Sequence, residues 1–164
     1  ADYYSLYLSH YSHLIDSNKV NSNQQASLVP ADTTNIKQTN DQEFFKLNLS
    51  HKHYVAVIVK NDNRANALRS GWNDYNLTPN GIKDLKLSNI TINNDYTIII
   101  AKEFENAGEA KKYMIKLKGV SQLYKDYQSN EYELLLISDQ NLGRLISQKD
   151  VQGYKTFYKN KYPK

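Results

Sequence analysis

The 164-residue chain contains no cysteine, one methionine, one tryptophan, three prolines and six glycines. The missing cysteine excludes a disulfide scaffold, a thiolate metal site and a cysteine nucleophile. It assigns no compartment, because bacterial periplasmic domains often lack disulfides too. The glycines are dispersed, so no loop is present to cradle a phosphate, and no G-x-S-x-G turn presents a serine nucleophile. Acids such as Asp95, Glu103, Glu105 and Glu109 fall at turns, strand ends or caps, where they do not form a catalytic pair. No apolar run nears the roughly 20 residues that cross a bilayer, and Ala1 opens neither a charged n-region nor an apolar h-region. The chain does not begin with methionine, so Ala1 is expected to start a piece of a longer protein, with any targeting signal upstream.

What is present is enough for one domain: 40% hydrophobic residues, with Asn-, Gln- and Ser-rich stretches that read as linker. The net charge of +4 is concentrated at the C-terminus, where Lys149 to Lys164 holds five lysines against one aspartate. Four aromatic rings share that stretch, which poses a choice between a nucleic-acid-binding arm and an amphipathic helix.

Residues 1–16 place Tyr3, Tyr4, Tyr7, Leu8, Tyr11, Leu14 and Ile15 on one helical stripe, as expected for an amphipathic helix that packs on a neighbour. Residues 17–50 read as a polar linker, although EFFKLNLS near its end returns apolar residues able to dock on the domain. Residues 51–164 then form a regular series. HYVAVIVK is a strand, Asn61 to Asn63 offer caps, and Ala65, Leu68, Trp72 and Tyr75 recur at helical spacing. LKLSNITI and DYTIIIAKEF are two strands joined by an Asn93-Asn94-Asp95 turn. Asn106 and Glu109 form a capping box before a second helix, which breaks near Gly119, and YELLLI is a fourth strand.

The order βαββαβ predicts an α+β fold with a ferredoxin-like core, C-terminal helices and a separate N-terminal helix. The third strand is apolar on both alternating sets, so both sheet faces are expected to be covered, by flanking segments or by a partner. Ser138 or Asp139 can cap one C-terminal helix, and Asp150 can cap another that carries Val151, Tyr154, Phe157 and Tyr158.

A βαββαβ domain with a basic tail invites comparison with RNA recognition motifs, but the third strand has an aliphatic centre and the first offers only Tyr54 for stacking. In the tail the aromatics sit at helical spacing, which favours a buried stripe with Lys155, Lys159 and Lys161 mostly off it. These three lysines are the candidate partner-binding residues. The pairs His10/His13 and His51/His53 each share a face, but neither has the further ligands of a metal pattern. No cofactor and no catalytic residue is indicated.

Several phrases resemble a known family. They are His53-Tyr54; Trp72-Asn73 with Tyr75; Asn94 to Tyr96; Lys102 to Phe104 before Ala110 to Tyr113; Ile137 to Asn141; and the K-D-V-x-x-Y…F-Y-x-x-x-Y ending, Lys149 to Tyr162. Together they resemble the C-terminal domain of Bacteroidota tetratricopeptide-repeat lipoproteins, the PorW/SprE-like group of type IX secretion and gliding motility. The resemblance covers about two-thirds of the chain. It implies a periplasmic protein anchored to the outer membrane through an upstream lipidated segment, with residues 1–16 as the end of an upstream helical repeat. The expected role is a non-catalytic protein–protein interaction domain of a secretion or gliding complex. The alternatives are a peptidoglycan-binding module and, through Lys155, Lys159 and Lys161, a nucleic-acid-binding domain.

Overall fold

The structure, a computed structural model, describes residues 44–163. The expected helix of residues 1–16, the linker as far as residue 43, and His10 and His13 lie outside the described residues. The compact unit begins at Phe44, so the last seven residues of the expected linker belong to the domain. Phe45 is the reason: its ring is buried against Tyr154 and Phe157, at centroid distances of 4.9 and 5.8 Å.

The domain is α+β, with a four-stranded antiparallel sheet. The strands are β1 (His53–Lys60), β2 (Leu87–Thr91), β3 (Tyr96–Phe104) and β4 (Tyr132–Ser138), in the spatial order β2-β3-β1-β4. The described helices are α1 (Arg64–Asn76), α2 (Ala107–Lys118), α3 (Asp139–Gln148) and α4 (Val151–Lys161), with a 3₁₀ turn at Ser121–Tyr124.

Side-chain chemistry starts and stops these elements. The Asn106 side chain accepts from Glu109 N, Ser138 Oγ from Asn141 N, and Asp150 from Gly153 N, each satisfying a donor that the helix itself cannot. At α1 the cap residue Asn63 makes no such bond, and Asp62 receives Arg64 N instead. At the β2–β3 turn, Asn93 Oδ1 accepts from both Asp95 N and Tyr96 N, replacing the backbone pairing lost in the reversal.

Strand register sorts the core into two faces. Ala56 and Ile58 lie opposite Ile100 and Ile98 on one side and Leu135 and Glu133 on the other, so these six share the first face. Val55, Val57 and Val59 share the second with Ala101, Ile99 and Thr97. Helix α1 sits on the second face, where Asn89 of β2 bonds Asn66, and α2 lies beside it. Trp72 Nε1 donates to Tyr113 Oη at 2.7 Å, and Tyr113 donates to Asn76, a buried polar link between the two helices.

The first face is covered by the C-terminal helices. Helix α3 runs from the end of β4 back to the β2–β3 turn, where Asn93 Nδ2 reaches Lys149 O. Helix α4 meets Tyr96 and Glu133, both on that face. Ala56, Ile58, Ile98, Ile100 and Leu135 are consequently all fully buried, and each isoleucine or leucine contributes about 1.5–3 kcal/mol by leaving water. This is why β3 reads as apolar on both alternations.

Candidate functional site

Helix α4 holds the three lysines singled out from sequence. Its apolar positions, Val151, Tyr154 and Phe157, are buried, and its basic positions divide. Lys155 points at the sheet: its ammonium is 3.4 Å from Glu133 and 5.2 Å from the Tyr96 ring centre, and its side chain is only 17% exposed. Gln152 donates to the Tyr96 hydroxyl beside it at 2.9 Å. Lys159 reaches the other Glu133 oxygen at 3.3 Å but remains 66% exposed, and Lys161 is exposed. The structure thus brings Lys155 and Lys159 together on one carboxylate and places Lys161 outside that cluster. Sequence spacing located the aromatic stripe; it gave no sign of Glu133, which arrives from β4 across the sheet.

The tyrosines of α4 close the outer edge of β4. Asp139 N bonds Lys52 O, and this residue pair fixes the alternation of the β1–β4 ladder. By that alternation the backbone groups of Leu134, Leu136 and Ser138 point away from β1. Tyr154 donates to Leu136 O at 2.7 Å, so this outward carbonyl is satisfied by a buried phenol. Tyr158 reaches across to Met114 Sδ of α2 at 3.7 Å.

At the end of α4, Tyr162 meets His53, which is fully buried. His53 Nδ1 lies 2.7 Å from His51 O, and Nε2 lies 2.9 Å from the Tyr162 hydroxyl. A carbonyl only accepts, so Nδ1 carries the proton and Nε2 accepts from Tyr162. Burial holds the His53 pKa below its ordinary value and keeps the ring neutral. Both ring nitrogens are occupied by the protein, so His51 and His53 do not converge on a metal. Among the described residues no group of three His, Asp or Glu is placed to hold one.

A second charged cluster ties the loops at the other end. Arg64 meets Asp62 at 2.7 Å and Glu131 at 3.1 Å, donates to Asp126 O, and stacks over the Tyr127 ring at 4.5 Å. The guanidinium holds both carboxyls below the usual carboxylate range, while burial pushes the Tyr127 phenol up to about 12. One guanidinium serves both carboxylates, and the cluster acts as a clamp on the 126–131 loop.

No protein-family model matches the chain, and no curated protein or solved structure matches it significantly.

Leu77 and Ile115 are 66% and 61% exposed, one just beyond α1 and the other on α2. None of the described helices is long and apolar enough to cross a membrane.

Proposed function

We propose that residues 44–163 are a non-catalytic protein–protein interaction domain with a ferredoxin-like core, carried by a periplasmic, outer-membrane-associated component of a secretion or gliding complex. The strand order β2-β3-β1-β4, with α1 and α2 on one face, supports the ferredoxin-like arrangement. The observation that carries the functional reading is the closure of the sheet by the chain's own helices. With the first face under α3 and α4, the second under α1 and α2, and the β4 edge under Tyr154, the sheet faces are closed, and the outside of the helical layers, where Leu77 and Ile115 stand exposed, is open to recognition. Exposed residues of that size suit burial by a protein. The envelope setting rests on the family resemblance.

The same closure counts against the alternatives. A glycan groove on the sheet would have to lie where α3 and α4 pack. The aromatics that would stack on bases are engaged too: Tyr54 is buried and Tyr96 lies under Lys155. Affinity capture from cell envelopes of a gliding bacterium of that phylum, with the wild-type chain and a Leu77→Asp/Ile115→Asp variant as baits, tests the proposal. A secretion or motility component should be retained by the wild type and lost by the variant. Recovery of none would defeat it.

A further inference from the structure

The two edges of the sheet are treated differently. The β4 edge is closed by Tyr154, whereas the β2 edge has no such cover among the described residues. Ile92 N bonds Tyr96 O and Lys102 N bonds Lys86 O, and these pairs fix the alternation of the β2–β3 ladder. Ile92, Ile90, Ser88 and Lys86 face β3, so the backbone N–H and C=O of Leu87, Asn89 and Thr91 point outward.

Edges that must stay solitary commonly carry a lysine, a proline or a bulge. Leu87–Thr91 reads LSNIT, with no charge and no proline, and its register against β3 is unbroken. Asn89 Oδ1 is also buried without a hydrogen-bond partner, while its Nδ2 is bound to Asn66.

We propose that β2 pairs antiparallel with β2 of a second copy, about a two-fold axis at Asn89, joining two four-stranded sheets into one. The strand is complementary to itself in that register. Asn89 lies opposite its own symmetry mate and Leu87 opposite Thr91, so the three outward residues of each copy exchange six main-chain hydrogen bonds. No like charges oppose. Instead the exposed Lys83 and Lys86 at one end of β2 approach the end of the partner strand that leads to the exposed Asp95. The Asn89 side chains lie beside each other at the axis, on the α1 side of the sheet. A second copy satisfies all of these features with the sequence already present, whereas a foreign peptide would have to supply them separately. The inference goes beyond the interaction surface at Leu77 and Ile115 and does not rest on it.

Sedimentation equilibrium of the full 164-residue chain, from micromolar to about 1 mM, reads the result. The weight-average mass should climb from 19.0 kDa toward twice that value. Asn89→Pro removes an outward N–H without touching the β3 ladder, and Thr91→Lys sets a charge on the edge. Each should weaken dimerisation about tenfold or more, since bonds are lost at or beside the axis, with unchanged circular dichroism in at least Thr91→Lys, whose site is exposed. A wild-type chain that stays monomeric throughout, or a folded Thr91→Lys that dimerises as tightly as wild type, overturns the proposal.

Discussion

Replacing Tyr154 with phenylalanine isolates the contact that closes the β4 edge. The hydroxyl donates at 2.7 Å to Leu136 O, in a site where Tyr154 has no exposure and Phe45 and Phe157 crowd its ring. The change deletes one oxygen and leaves the apolar packing in place. It strands a carbonyl that β1 cannot reach, because Leu136 faces outward in the ladder. A stranded buried acceptor costs about 1–3 kcal/mol, so a loss near 2 kcal/mol is expected. For a chain of this length that corresponds to a fall in Tm of about 4–8 °C. Tyr158→Phe removes a second hydroxyl at the same edge, which meets Met114 Sδ at 3.7 Å and the main chain of Leu136, and should cost less, about 0.5–1 kcal/mol. Urea unfolding followed at 222 nm, with the slope unchanged, measures both. If Tyr154→Phe lies within 0.5 kcal/mol of wild type, the edge is not held as argued.

Because burial lowers the His53 pKa, the folded state binds a proton less readily than the unfolded chain. The His53 contribution is complete above about pH 6.5 and is lost as pH falls from there toward the folded value. The wild-type urea midpoint should therefore drop between pH 7.5 and 5.5 more than that of His53→Gln; equal drops refute it. Glu133→Gln removes the anion shared by two lysines and leaves Lys155 largely covered, at a cost of about 1 kcal/mol, whereas Lys159→Ala should stay within about 0.5 kcal/mol; denaturation at low salt separates them. A methyl group at Gly71 would meet Leu123 at 3.4 Å, an ordinary contact, so Gly71→Ala should stabilise by about 0.5–1 kcal/mol. At Gly153 the added carbon would lie 2.0 Å from the Asp150 carboxylate that caps α4, so that helix gain is offset by loss of the cap, about 1 kcal/mol, and thermal melts should show no net stabilisation.

Elements governed by short-range chemistry were legible in the sequence. The caps at Asn106 and Asp150 and the Asn93 turn follow from side chains that bond backbone two or three residues away, and all three bonds are present. The double apolarity of β3 also reported its own cause, a sheet covered on both faces. What depended on distant neighbours was not legible. Nothing in the tail marks Lys155 as the lysine that turns inward, because Glu133 and Tyr96 come from other strands. Likewise EFFKLNLS reads as apolar residues able to dock on the domain, but the socket for Phe45 is supplied by Tyr154 and Phe157, more than 100 residues away. Asn63 has the right chemistry for a cap, yet Asp62 makes the bond, since the Arg64 cluster fixes Asp62 from its other oxygen.

The same dependence explains why the candidate lysines and the candidate edge differ in kind. A basic residue on an amphipathic helix advertises a partner in sequence, but here the partner of Lys155 is the domain itself. The β2 edge advertises nothing, since its recognition groups are backbone amides common to every residue. What makes them available is the ladder parity that turns Leu87, Asn89 and Thr91 outward, together with the lack, among the described residues, of a side chain that closes this edge as Tyr154 closes the other. An edge with no partner among the described residues either acquires a strand or must be blunted, and within LSNIT there is nothing to blunt it.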